Sequence, residues 1–199
     1  DLFETVELIK KMCNYVKRFG KKAMISASFS TFVPQPFTPF QWEKMSSPAE
    51  IKAKQKIIIE NLRGIRNLKL AWHDQEISTV EGYLSRAGRE YGKVIEFVAK
   101  NMKGLQTEDA SFDPALWDEG MAYAGIDPEG TYLEKPLDKP LPYEHIDLRI
   151  DRRFLLKERE KAFNFQETPD CAKTGICNKC GACDFKEIRP LKFTGKALD

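Results

Sequence analysis

The chain has 199 residues, 42% of them hydrophobic, which is enough for one domain or two small ones with an ordinary core. Its 32 basic and 30 acidic residues leave a net charge of +2, too balanced to predict a nucleic-acid-binding surface from charge alone. No apolar run reaches the roughly 18 residues of a membrane span, and a signal-peptide pattern is absent, so we expect a cytoplasmic protein without a membrane partner. The chain starts at Asp1 directly in helix-like sequence, which suggests a fragment or a processed product.

The first third of the chain alternates between helix-like and strand-like patterns. Apolar spacing predicts a helix over 2–19, and short-range alternation predicts a strand over 22–32 that ends at the Pro-rich segment 34–39. The segment 46–62 begins with the cap, early proline and early acid of a helix, and 68–72 reads as a second strand. This order predicts βα units with a parallel sheet. Because two strands alone do not make a stable sheet, the remaining strands are expected upstream.

The remainder of the chain is predicted to be helical up to its cysteine-rich end. The predicted helices, separated by glycines and by the Pro-rich segment 136–142, cover 77–86, 89–103, 112–124 and 149–164. The apolar stripe on the last of them is expected to belong to a core.

Four of the five cysteines fall within thirteen residues, at Cys171, Cys177, Cys180 and Cys183. Thiolates are soft ligands, and a Cys-x2-Cys-x2-Cys run is more typical of a ferredoxin-like loop than of a zinc ribbon, whose pairs stand well apart. The spacing favours a [4Fe-4S] cluster, with structural zinc as the second reading and two disulfides as the third. Four ligands would close the coordination shell, so an open catalytic zinc is not expected. Cys13 is expected to be a small apolar helix residue.

Several stretches together resemble a known family. Residues 26–42 read Ser-Ala-Ser-Phe-Ser-Thr-Phe-Val-Pro-Gln-Pro-Phe-Thr-Pro-Phe-Gln-Trp, and they are followed by Trp72-His73-Asp74, Ser78, Glu81, Leu84-Ser85-Arg86 and Asp170-Cys171 with the other clustered cysteines. In this order nearly the whole chain is similar to the C-terminal part of a radical S-adenosylmethionine (SAM) protein, in particular to the cobalamin-binding-type group of unassigned substrate. The chain departs from that pattern at Phe37, where the family often has His, and at Ala87-Gly88, where it has Gly-Asp.

The resemblance implies an α/β fold: the last βα units of a partial radical SAM (βα)6 barrel, then a mainly α-helical extension and a four-cysteine metal loop. In that family a [4Fe-4S] cluster held by Cys-x3-Cys-x2-Cys cleaves SAM to a 5′-deoxyadenosyl radical. Cys13 has no cysteine partners at positions 17 and 20, so this motif is absent here. The expected partner is therefore the remainder of the barrel, in the same parent polypeptide, and the complete protein is expected to use SAM, with cobalamin as a further candidate.

The predicted division of the chain follows from this reading. Residues 1–75 are expected to close the barrel, 76–165 to form the helical extension, and 166–199 to form the cysteine-rich cluster-binding tail.

The Pro-rich loop supplies the first candidate site residues. If 22–32 is the last barrel strand, the loop leaves from the face where barrel enzymes place their sites. Thr38 and Gln41 could then donate or accept hydrogen bonds with SAM or substrate, and Trp42 could form a wall. The alternative is that the loop plugs the barrel with ordinary packing residues.

His73 and Arg86 are the other candidates. His73 follows a predicted strand and stands beside Asp74, so the two could form an acid-base pair, and the alternative is that Asp74 is the N-cap of the next helix. Arg86 and Arg89 are spaced to bind an anion, while a surface ion pair with Glu81 or Glu90 is the simpler reading.

The functional prediction is the C-terminal portion of a radical SAM iron-sulfur enzyme that is inactive as this chain alone. The rival prediction is a binding module in which the cysteines hold structural zinc. In that module, basic residues around the loop would bind RNA, although the overall charge of the chain does not by itself support nucleic-acid binding. These basic residues are Lys173, Lys179, Lys186 and Arg189.

Overall fold

The computed structural model describes residues 1–20, 22–106 and 111–183. The chain divides into two compact units: the first comprises Asp1–Val33 and Lys44–Glu134, and the second comprises Pro34–Glu43 and Lys135–Asp199. These boundaries differ from the predicted division at 75/76 and 165/166. The difference arises because the Pro-rich segment packs with residues far along the chain, while one core continues from Met45 to Tyr132.

The first unit begins with an α/β part. The helix α1 (Leu2–Val16) is extended by a 3-10 turn, and it is followed by β1 (Ile25–Phe29), α2 (Pro48–Leu62) and β2 (Leu68–Trp72). The two strands pair in parallel, from Ile25 opposite Leu68 to Phe29 opposite Trp72, as the order of elements predicts. The first strand is shorter than the predicted 22–32, because the ladder with β2 has only five residue pairs.

Local sequence signals account for these elements. Ser47 caps α2 through a capping box, in which its hydroxyl accepts from Glu50 N while the Glu50 carboxylate accepts from Ser47 N, and Pro48 occupies the first helical position. The buried face of α1 presents Val6, Ile9 and Cys13 to the core. Cys13 is 1% exposed, which confirms its predicted role as a small apolar residue, and burial raises the pKa of its thiol.

The rest of the first unit is helical. It contains α3 (Gln75–Arg86), a 3-10 turn (Arg89–Tyr91), α4 (Gly92–Asn101), α5 (Pro114–Ala124) and the short α6 (Glu129–Tyr132). Ten buried side chains, among them Met45, Trp117 and Tyr132, form one core cluster that joins these elements. At Gly120 a Cβ atom would lie 3.1 Å from Val94 Cγ1, so glycine lets α4 and α5 approach closely.

Over its described residues, the second unit has a much smaller core than the first. It contains α7 (Arg152–Phe163) and the single turn α8 (Cys171–Thr174), and its buried cluster consists of Trp42, Leu141 and Leu155. The predicted apolar stripe of α7 is confirmed in part, because Leu155 is buried and Phe154 packs against the same cluster, whereas Phe163 is 56% exposed. Among the described helices, none combines the length and the apolar character required to cross a bilayer.

Candidate functional site

The carboxyl ends of the two parallel strands enclose a cavity of about 200 Å³. Its polar lining residues are Ser30 and Thr31 after β1, His73 after β2, and Ser46, Lys54 and Gln55 at or near α2. The His73 backbone N–H donates to Phe29 O at 2.9 Å, which fixes the histidine at the end of the ladder. This edge of a parallel sheet is where α/β proteins place their ligands, and we call the space the carboxyl-edge cavity.

A short chain of hydrogen bonds orients the His73 side chain. His73 Nδ1 lies 2.9 Å from Ser78 Oγ, and the Ser78 hydroxyl donates to Asp74 O at 2.8 Å. The Asp74 carboxylate instead accepts from Glu76 N and Ile77 N at the start of α3, which confirms the N-cap prediction. The partner of the imidazole is therefore Ser78, a residue that the sequence patterns did not assign to it.

The candidate residues of the Pro-rich loop make their contacts within the second unit. Gln41 is 3% exposed and its Oε1 accepts from Phe37 N at 2.9 Å, while Trp42 is fully buried against Leu141 and Leu155. Thr38 Oγ1 donates to Gln35 O at 2.8 Å. These are structural contacts, and binding of SAM or substrate by Thr38, Gln41 and Trp42 stays a prediction.

Arg86 lies inside the first unit and is only 4% exposed, so it is not the surface residue that the simpler reading expected. Its Nε donates to Thr131 O and its Nη2 donates to Leu133 O, both at 2.8 Å. Helical spacing, which suggested an anion site, does not predict this burial, because the two carbonyls belong to a segment more than forty residues away in the sequence. Arg86 thus ties the chain after α6 to the end of α3.

Three buried tyrosines surround this tie and were missed at the level of sequence. Tyr83 and Tyr132 share a hydroxyl contact of 2.5 Å, and Tyr91 OH lies 2.8 Å from Thr131 Oγ1. Burial raises the pKa of all three phenols, because the charged form would lose its hydration.

The four-cysteine loop is attached to the start of α7. Asp151 N donates to Cys180 O at 2.7 Å, and a Cβ atom at Gly181, whose φ is +93°, would lie 2.6 Å from Arg149 O. Within the loop, Lys179 N donates to Cys177 Sγ at 3.3 Å, an N–H to sulfur contact of the kind that stabilises bound thiolates. Cys171 begins α8, where Asp170 is the N-cap.

The chemistry of the donors fits a thiolate-bound metal or cluster in number and in softness. All five cysteines are free thiols, and Lys179 and Gly181 already have left-handed backbone conformations that turn the loop between Cys177 and Cys183. Over the described residues, however, no group of three or more His, Cys, Asp or Glu side chains is arranged to hold a metal ion. Ligation by the four cysteines therefore stays a prediction.

The fold and the sites define a mixed α/β chain with a parallel strand pair, a polar cavity at its carboxyl edge and a separate cluster of four thiols. No protein-family model, curated protein or solved structure matches the chain.

The residues Ser30, Thr31 and Gln55 were missed as site residues. One signal was present in the sequence, since Ser30 and Thr31 follow β1 in the same way that His73 follows β2.

Proposed function

We propose that this chain is the C-terminal portion of a cytoplasmic radical SAM iron-sulfur enzyme, and that its four-cysteine loop binds an auxiliary [4Fe-4S] cluster. The observation that carries the proposal is the run of four free thiols within thirteen residues, in a loop attached to α7 through Cys180 O. The parallel pairing of β1 and β2 around an intervening helix supports the barrel part of the proposal, because parallel strands require such a crossover. The remainder of the barrel is the proposed partner.

The cysteines have distinct local environments that bear on this role. Cys171 lies at the first position of α8, and Cys177 Sγ accepts the backbone N–H of Lys179. Bound there, a cluster would supply a site for one-electron transfer. Cys13 is not among the proposed ligands, because its side chain is buried among the apolar residues of the first unit.

The first experiment measures metal in protein purified without oxygen. We expect iron and acid-labile sulfide in equal amounts, with the brown absorption of an iron-sulfur protein. Each Cys→Ala variant of the quartet should lose them, and Cys13→Ala, the matched control, should retain them. A colourless protein with one zinc per chain would contradict the iron-sulfur cluster and support structural zinc. A metal-free protein would contradict both hypotheses.

The second experiment tests where the radical chemistry resides. We expect this chain, reconstituted with iron, sulfide, dithionite and SAM, to produce no 5′-deoxyadenosine. The reason is that it lacks the Cys-x3-Cys-x2-Cys motif, whose three thiolates leave one iron of the cluster open to SAM. Catalytic formation of 5′-deoxyadenosine would contradict the assignment of SAM cleavage to sequence outside the chain.

The alternative function is a zinc-stabilised module that binds RNA or protein without catalysis. Lys173 and Lys179 flank the cysteines within the described structure, whereas Lys186 and Arg189 lie outside the described residues. Zinc in place of iron, together with RNA binding that weakens steeply as salt rises, would favour this alternative.

A further inference from the structure

The carboxyl-edge cavity combines apolar walls with a small set of polar groups. Phe29 and Trp72 stack with their ring centroids 4.7 Å apart, and Ile51 and Ile58 add aliphatic surface. Small-molecule sites in proteins have this composition, a mainly apolar lining with a few placed polar groups. The volume of about 200 Å³ is below the roughly 300–1,000 Å³ of typical ligand pockets, so the occupant would be small.

The hydrogen bonds around His73 determine which of its nitrogens is available. The Ser78 hydroxyl gives its single proton to Asp74 O, a carbonyl that can only accept. The contact between Ser78 Oγ and His73 Nδ1 must then be donated by Nδ1–H. In its neutral form the imidazole therefore carries its lone pair on Nε2, and His73 is one of the residues that line the cavity.

Other polar groups of the cavity are also available. Within the described part of the chain, the side chains of Ser30, Thr31 and Gln55 make no hydrogen bond to protein. Lys54 Nζ donates to Ser46 Oγ at 2.6 Å, and an ammonium has two further protons to donate. No carboxylate lines the cavity in the described structure, so Lys54 gives it a positive charge.

We propose that the carboxyl-edge cavity binds a small organic carboxylate with an apolar body, preferably one that also carries a hydroxyl group. The apolar walls accept the body, and Lys54 with the Ser30, Thr31 and Gln55 donors favours an anion over a cation. His73 Nε2 accepts the proton of the hydroxyl, and Ser78 acts as a positioning residue by holding the imidazole in that tautomer. This site belongs to the first unit alone and does not depend on a metal at the four cysteines.

The test uses the full-length protein and four ring compounds of nearly equal size: 4-hydroxyphenylacetate, phenylacetate, phenethylamine and toluene. Dissociation constants come from ligand-observed NMR or calorimetry. A charge-assisted hydrogen bond is expected to favour phenylacetate over phenethylamine by about tenfold, and a neutral one to favour the hydroxylated acid by a further factor of about five. Toluene reports the apolar walls alone.

The variants separate the two contributions. Lys54→Met should remove most of the preference for the acid over the amine and leave the hydroxyl effect in place. His73→Phe should remove the hydroxyl effect and keep the preference for the acid, and Ser78→Ala should weaken the hydroxyl effect without changing the binding of phenylacetate. Lys69→Met, on an exposed position of β2 outside the cavity, is the matched control and should change neither.

The outcomes decide clearly. Equal affinity for acid and amine, or no measurable binding of any of the four compounds, would overturn the proposal, as would a preference that survives Lys54→Met. Lys54 and His73 are exposed, and a thermal melt of each variant establishes that it is folded. Where Ser78→Ala does not fold, Ser78→Cys replaces it. Metal content measured on the same samples keeps a failure here distinct from a failure of the proposed cluster.

Discussion

The two units of this chain differ in how much of their stability resides in an apolar core. The first unit buries ten side chains in its helical cluster and five more between α1, α2 and the sheet. In the part of the second unit that the structure describes, 34–43 and 135–183, the buried cluster consists of three side chains, and the four clustered cysteines lie in the same part. Small folds with little core are commonly stabilised by bound metal or by cross-links. The comparison suggests that ligation at the cysteines would serve the second unit as folding energy.

The polar interactions follow the same contrast. In the first unit Arg86 and the tyrosines make buried hydrogen bonds that join distant segments. In the second unit the polar contacts include ion pairs that remain partly exposed, such as Arg159 with Glu43 and Lys161 with Glu158. Their side chains are only 18–24% exposed, and because two charges must lose hydration to form such a pair, the pairs do not compensate for the small core.

The largest expected effect comes from breaking the four-cysteine loop. Removal of one thiolate leaves an open or protonated position and loses much of the ligation free energy, which in small metal loops is also folding energy. Each quartet Cys→Ala variant should therefore lose hydrogen-exchange protection across α7 and α8 while the first unit keeps its own. Unchanged protection of α7 in a metal-free variant would show that the second unit is stable on its small core alone.

The next largest effect is expected from replacing one buried tryptophan in the core of each unit, which compares the two cores directly. Trp42 and Trp117 are both buried, and in the described structure the Nε1 of each lacks a hydrogen-bond partner. Trp→Ala at either site should cost about 3–5 kcal/mol of unfolding free energy. Trp42→Ala should unfold the second unit, because that residue is one of three in the core cluster of its described residues. Trp117→Ala should lower the melting temperature of a first unit that stays folded. Equal responses would remove the distinction.

A smaller effect is expected at Arg86. Arg86→Met leaves the buried carbonyl of Thr131 and the partly buried carbonyl of Leu133 without their donor, at a cost of about 1–3 kcal/mol for the buried group. Urea denaturation would measure this loss, and the exposed Arg89→Met is the control, expected to stay within about 0.5 kcal/mol of the unmodified protein. A loss that is equally small for both variants would mean that water replaces the guanidinium.

The smallest effect is expected from the buried tyrosines, whose ionisation lowers the stability of the first unit only at alkaline pH. Burial raises the pKa values of Tyr83, Tyr91 and Tyr132 in the folded state, so their stabilising contribution is complete below the unfolded value of about 10 and declines as pH rises above it. The melting temperature of the first unit should fall from pH 9 to pH 11. Tyr83→Phe should reduce that fall, and an identical slope in the variant would contradict the assignment.

Local patterns were sufficient for much of the fold and for little of the site. The capping box at Ser47, the N-cap at Asp74 and the buried face containing Cys13 each depend on neighbours within a few residues, so the sequence predicts them. Arg86 and Trp42 depend on partners far along the chain, and helical periodicity carries no information about such partners. The same limit hid the Ser78 contact of His73, because it requires the turn between β2 and α3.

The discontinuous second unit has a consequence for the order of events during synthesis. Trp42 leaves the ribosome long before Leu141 and Leu155, the residues that bury it. At roughly 5–20 residues per second, several seconds pass in which the indole has no native partners, while the segments of the first unit up to α3 are already complete. A nascent chain therefore exposes an aromatic segment next to β1 until its final third emerges. A chaperone that binds extended apolar sequence would find its target there, in residues 34–43.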